Sequence, residues 1–183
     1  MVRYFLQLLR QPLTVLPRLV ERKRRRYVLQ RGRVLLLFGA NPRQAPMRTQ
    51  CANCCFIGNA GTGKTHLAIS LDLAACRQGR RVRFFTAATL VNRLEESQKQ
   101  YQLERFLTQL DKTDLLIVDE LGYLSFSRVG AELLFQVFTD RYERKSLLLT
   151  SNLPFREWAQ IFQGERMTAA LLDRLTHRCH IFE

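Results

Sequence analysis

The octapeptide Gly58, Asn59, Ala60, Gly61, Thr62, Gly63, Lys64, Thr65 constrains this chain more than any other feature, because it fits the pattern G-x-x-x-x-G-K-[ST] at every fixed position. The pattern has a mechanism. Glycines let the backbone bend so that successive N–H groups point inward at phosphate oxygens, and the helix that follows adds the positive end of its dipole, equivalent to about +0.5 charge. Such a loop must leave a strand and open a helix. Residues 54–57 are an apolar run and residues 64–77 carry a helical period, so the context is the required one. The competing reading, a glycine-rich turn with a solvated lysine, explains neither flank. The expected ligand is a nucleotide held by residues 58–65 together with His66; Lys64 would reach the β- and γ-phosphates, and the Thr65 hydroxyl would ligate Mg²⁺.

From residue 54 onward, short apolar runs bounded by breakers alternate with helix-period segments, which predicts an α/β domain with a largely parallel sheet. Expected strands cover 54–57, 82–85, 115–118, 147–150 and 179–182; expected helices cover 64–77, 87–110 with a break, 129–143 and 168–174. On the helix 129–143, Leu133, Leu134, Val137, Phe138 and Tyr142 share one face and read as core, as do Phe84, Phe85, Phe106 and Phe135. Arg141, Arg144 and Lys145 lie opposite and would meet DNA or water.

Two strand ends carry chemistry. Leu115, Leu116, Ile117 and Val118 run into Asp119 and Glu120. A buried strand beside the phosphate loop would carry Asp119 to the rim, where it can hold Mg²⁺ through water, and would leave Glu120 to polarise an attacking water. The second acid separates hydrolysis from mere binding; the alternative is a strand that ends in solvated charge. Leu147, Leu148 and Leu149 run in the same way into Thr150, Ser151 and Asn152. If that strand lies between the other two, Asn152 or Thr150 can orient the water or touch the γ-phosphate. A small-molecule kinase is disfavoured, since no arginine-rich lid follows the core.

The net charge of +13 is distributed unevenly: residues 1–50 carry +11 and residues 51–183 carry +2. The block 22–26 (Arg-Lys-Arg-Arg-Arg), with Pro12, Pro17, Pro42 and Pro46 around it, reads as a basic arm that stays solvated or contacts DNA phosphates. The expected division is therefore 1–50, a basic N-terminal segment, and 51–183, the nucleotide-binding core. An organelle transit peptide fits the composition of residues 1–20 but not the rest of the chain. The longest apolar run, residues 34–38, is far short of the roughly 20 residues of a membrane span, which argues against a membrane partner. Five cysteines without a regular framework suit free thiols in a reducing compartment, here the cytoplasm. Cys51, Cys54 and Cys55 have the spacing of half a zinc site, which His177, Cys179 and His180 could complete; burial of small side chains explains the same residues more simply.

Several stretches resemble the IstB-like ATPases that assist insertion-sequence transposases, members of the AAA+ class related to DnaC-like helicase loaders and DnaA-like initiators. They are 61–68 (Gly-Thr-Gly-Lys-Thr-His-Leu-Ala), 115–124 (Leu-Leu-Ile-Val-Asp-Glu-Leu-Gly-Tyr-Leu), 130–136, 141–144, 150–155 (Thr-Ser-Asn-Leu-Pro-Phe) with Glu157 and Trp158, and 170–175 (Ala-Leu-Leu-Asp-Arg-Leu). The resemblance implies a P-loop NTPase of the AAA+/ASCE type, a three-layer sandwich around a five-stranded parallel sheet. It further implies ATP and Mg²⁺ as cofactors, a homo-oligomer with composite ATP sites on duplex DNA, and a transposase as the regulated partner. By motif position Lys64 and Thr65 resemble Walker A, Asp119 and Glu120 Walker B, and Asn152 sensor 1. Arg174 resembles the arginine finger that completes a neighbouring subunit's site, with Arg178 as the alternative finger and a salt bridge to Asp173 as the plainer role. Residues 1–50 resemble neither the helical segment nor the aromatic-containing approach usual before the loop in this family, as in a frame-disrupted start, and the C-terminal tail is expected to be truncated. Two other readings follow: a DnaC-like replicative helicase loader, and a non-hydrolysing nucleotide-binding fragment.

Overall fold

The computed structural model describes residues 53–177 and 179–183. The expectations for residues 1–50, Cys51 and Arg178 lie outside them. The chain runs through β1 (Asn53–Ile57), α1 (Lys64–Arg77), β2 (Val82–Thr86), α2 (Ala87–Lys99), α3 (Leu103–Asp111), β3 (Leu115–Leu121) and α4 (Arg128–Asp140). It continues through β4 (Ser146–Ser151), a 3₁₀ turn (Phe155–Glu157), α5 (Ala159–Phe162), α6 (Glu165–Thr176) and β5 (Cys179–Phe182). All five strands are parallel, in the order β2-β3-β4-β1-β5. The expected α/β architecture is the observed one, with β4 between the strands that carry the phosphate loop and the acid pair.

Alternation along the strands sorts the sheet into two buried faces. Cys55, Ile57, Leu116, Val118, Leu147 and Leu149 share one core with Leu90, Val91 and Leu94 of α2, Leu134 and Val137 of α4, and Leu171 and Leu175 of α6. Cys54, Phe56, Leu115, Ile117 and Leu148 have the opposite parity and are buried with Ala68, Leu71 and Ala75 of α1, which packs against β2, β3 and β4. Near-continuous apolar strands are what a parallel sheet covered on both sides requires. Among the described residues, no helix is long and apolar enough to cross a membrane.

Several boundaries differ from expectation. The stretch 87–110 breaks at Tyr101, which has φ +58 and is 99% exposed, and the chain doubles back into α3. Helix α4 starts at Arg128 because the Ser127 hydroxyl accepts the Gly130 N–H at 2.9 Å, an N-cap bond. The helix lies close on α2: a Cβ at position 130 would sit 2.5 Å from Val91 Cγ1. It ends at Asp140, before the expected limit of 143. Just beyond it the Arg141 guanidinium turns inward and donates to the carbonyls of Leu110 (3.1 Å), Thr113 (3.1 Å) and Ser146 (3.0 Å). Arg141 is thus a buried structural residue and not part of a solvent or DNA face. Of the four phenylalanines read as core, Phe85 is buried, whereas Phe84, Phe106 and Phe135 are half-buried. The 3₁₀ turn and α5 were not foreseen. They are too short to show a period, yet the fully buried Trp158 lies between them and the fully buried Phe162 ends α5.

Candidate nucleotide site

The loop from Gly58 to Gly63 leaves the end of β1 and delivers Lys64 into α1. Gly63 has φ +90, a left-handed conformation that glycine adopts without strain, and no side chain caps α1 behind it. No acidic residue occupies the first turn of that helix either, so no negative side chain there opposes an anion at its amide end. Lys64 Nζ donates to the carbonyls of Gly58 at 2.7 Å and Asn59 at 2.8 Å, which folds the side chain over the loop. Partial burial pulls its pKa below the usual lysine range, and the nearby Asp119 carboxylate opposes that shift. Thr62 donates its hydroxyl to the Asn59 carbonyl at 2.9 Å, while His66 faces solvent.

The acid pair is separated by a bulge. Across β3 and β4 the partners are Val118 with Leu149 and next Leu121 with Ser151, so three steps on β3 match two on β4. Glu120, at φ +60, absorbs the extra residue. Strict alternation would bury the Glu120 carboxylate on the face of Leu116 and Val118; the bulge gives that place to Leu121, which is fully buried, and leaves Glu120 exposed. Asp119 keeps the parity of Ile117, on the α1 side, and is buried. Its Oδ1 accepts the hydroxyl of Thr65 at 3.1 Å and that of Thr150. The Thr150 Oγ1 in turn accepts the Glu120 N–H at 2.9 Å.

Three loops meet here through backbone and hydroxyl bonds. Ser151 O accepts the Gly58 N–H at 3.1 Å. Ser151 Oγ donates to Leu121 O at 2.7 Å and accepts the Leu153 N–H at 3.0 Å. Gly122, at φ +92, lies so close to the loop after β4 that a Cβ would fall 2.8 Å from Leu153 Cδ1. Trp158 Nε1–H completes the tie by donating to Leu153 O at 3.1 Å. Asn152 is exposed and follows Ser151, whose register partner is Ile57, so it stands level with Gly58 at the mouth of the loop. Sequence reasoning named Thr150 but missed Ser151, whose parity opposite to Thr150 was the available signal.

Arg174 is not gathered into this cluster. It is half-buried on α6 beside Asn53, Arg141 and Tyr142, at the end of the sheet where β1 begins, and so is separated from the phosphate loop by the length of a five-residue strand, about 13 Å or more. Among the described cysteines, all free thiols, Cys54 and Cys55 are buried, Cys179 is half-buried and Cys76 is exposed. Cys55 and Cys179 have Sγ atoms 3.5 Å apart; contact with Cys179 and then burial push the Cys55 thiol up, and burial does the same for Cys54. Among the described residues, no group of three or more potential ligands could hold a metal ion through His, Cys, Asp and Glu alone. Magnesium would instead draw on a hydroxyl and one carboxylate.

Comparison with known proteins agrees with this fold. A family model described as IstB-like ATP binding protein matches residues 46–183. A putative insertion sequence ATP-binding protein of Sinorhizobium fredii is 42% identical over 132 residues, which cover 72% of this chain and 44% of that protein. The putative ATP-binding protein of insertion sequence IS5376 from Geobacillus stearothermophilus is 43% identical over 130 residues, 71% of this chain and 52% of that one. The chain thus spans about half the length of these curated relatives. Among solved structures, the DnaC helicase loader superposes with a TM-score of 0.59 at 25% identity and covers 85% of this chain and 86% of that one. The replication initiator DnaA bound to AMPPCP and single-stranded DNA gives a TM-score of 0.61 at 25% identity, over 73% of this chain and 41% of that one. A P-loop fold of the AAA+ type, an intact phosphate loop and a family match across three quarters of the sequence lead to one conclusion: the chain belongs to the IstB-like ATP-binding protein family.

Proposed function

We propose that this chain is an ATP-hydrolysing helper of DNA transposition that assembles as a homo-oligomer on duplex DNA and regulates a transposase. The observation that carries the hydrolytic part is the divided acid pair: a buried Asp119 bonded to Thr65 beside an exposed Glu120 on the same bulge. Support for the transposition part comes from the relatives' names, and support for DNA from the DnaA structure bound to single-stranded DNA. A helicase-loader role has narrower support, the likeness to DnaC.

In this reading the amides of residues 58–65 and the Lys64 ammonium hold the ATP phosphates. The Thr65 hydroxyl and the Asp119 carboxylate are hard oxygen donors that suit Mg²⁺, Asp119 through water, and the bound cation would neutralise phosphate charge. Glu120 faces solvent and accepts hydrogen bonds, so it polarises the attacking water, which Asn152 orients. Arg174, at the far end of its own sheet, acts on the site of a neighbouring subunit. A finger of this kind is worth roughly 10³ to 10⁵ in rate in other phosphoryl-transfer enzymes.

The test is the ATPase rate per subunit as a function of protein concentration, with and without duplex DNA. A rate that climbs with both is expected, together with loss of ATP binding in Lys64→Ala. A flat, near-zero rate despite measurable ATP binding would overturn the hydrolytic reading in favour of a nucleotide-binding module.

A further inference from the structure

Thr150 is buried on β4. A threonine hydroxyl has one proton and two lone pairs. Here the proton goes to Asp119 Oδ1 and one lone pair takes the Glu120 N–H, so the group is fixed in both directions. The two bonds end on the two consecutive acids of the bulge. The register that pairs Ile117 with Leu148 brings Asp119 beside Thr150 two residues further along, on the face that α1 covers. Asp119 Oδ1 is also where the Thr65 hydroxyl arrives.

We propose that Thr150 is a positioning residue for the nucleotide site: its single hydroxyl sets the Asp119 carboxylate for the metal and, through the Glu120 amide, holds the left-handed bulge that keeps the Glu120 carboxylate out of the core. In this role Thr150 acts through the two residues it bonds, Asp119 and Glu120. Loss of the hydroxyl removes a donor from Asp119 and orphans the buried side of the Glu120 amide, so both acids shift together. Outer partners of metal-binding carboxylates typically matter by 10- to 100-fold in metal affinity or activity. The inference rests on the ATP-site reading above.

The experiment is equilibrium binding of a fluorescent ATP analogue to the full chain, in Mg²⁺ and in EDTA, for wild type, Thr150→Val and Thr150→Ser, with a melting curve for each. In Thr150→Val the affinity gain due to Mg²⁺ is expected to shrink by about 10- to 100-fold while affinity in EDTA is unchanged; Thr150→Ser restores the gain. A Thr150→Val protein with the wild-type Mg²⁺ gain overturns the proposal, and so does equal loss in Mg²⁺ and EDTA that tracks a lower melting temperature. If Thr150→Val does not fold, Thr150→Cys, with a weaker donor of similar size, carries the same test. A smaller loss in Mg²⁺ alone supports the role, and an unchanged gain refutes it. Failure of the wild type to bind the analogue at all would instead overturn the ATP-site reading.

Discussion

Glu120 occupies a backbone region that costs a residue with a side chain about 1–2 kcal/mol. Glu120→Gly relieves that cost but adds about 0.5–1 kcal/mol of chain entropy to the unfolded state, so a net stabilisation of up to about 1.5 kcal/mol is expected with complete loss of hydrolysis. Glu120→Gln keeps the backbone penalty, retains ATP binding and also loses turnover. Denaturant titration beside an ATPase assay checks both, and a Glu120→Gly protein no more stable than wild type would argue against strain at this position. The acid pair was legible in the sequence as an apolar run that ends in two carboxylates. The bulge was not, because pleat alternation alone sends Glu120 to the interior, and only the competition between Glu120 and Leu121 for one buried place decides against it. Arg141 was misread for a related reason: a helical wheel knows nothing of the carbonyls that wait past the end of the helix.

At the level of elements, β2 and β3 are joined at their starts by a reciprocal pair. The Asp114 N–H donates to Arg81 O at 2.8 Å, and the Arg81 N–H donates to the Asp114 carboxylate at 2.8 Å. That backbone bond is the largest influence and holds the Asp114 carboxyl below its ordinary 3.8; burial, next in size, opposes it, and the Arg81 side chain adds to the lowering. A depressed carboxyl binds fewer protons in the folded than in the unfolded state, so its stabilisation is present above pH 3.8 and disappears as pH falls through the lower folded value. Asp114→Asn should therefore be less stable than wild type at pH 6, by a margin that shrinks as the pH is lowered below 3.8, as chemical denaturation across that range would show; a difference that does not change with pH would refute the assignment. The strands themselves were legible because each is an apolar run bounded by breakers. The split of residues 87–110 was placed only loosely, since its cause is Tyr101 in a left-handed turn, a conformation that tyrosine does not advertise. The 3₁₀ turn and α5 escaped because three and four residues cannot display a helical period.

For the whole molecule, the position of Arg174 at the end of the sheet away from its own phosphate loop leads to a complementation test. Arg174→Ala is expected to bind ATP as a monomer and to lose hydrolysis in the assembly. Mixing it with Glu120→Gln should recover part of the wild-type rate, because some interfaces then combine an intact Glu120 with an intact Arg174. No recovery in an assembly confirmed to be mixed would remove Arg174 from the finger role. The phosphate loop and the fold class could be read from one chain alone, whereas a residue that works on a neighbour could be suggested only by its motif.

The strand order has a further consequence for how the protein is made. Both partners of β1, the strand that carries the phosphate loop, lie downstream: β4 begins at Ser146 and β5 at Cys179. On a ribosome, β2 and β3 can pair as soon as both have emerged, but β1 has no hydrogen-bonding neighbour until nearly a hundred further residues have been translated. Such long-range parallel pairing is intrinsically slow and leaves strand edges exposed in the meantime. The segment best suited to grip ATP is thus synthesised early and seated late, and a nascent chain that stalls before Ser146 would present Cys54, Cys55 and Phe56 to chaperones with their native place in the sheet still missing.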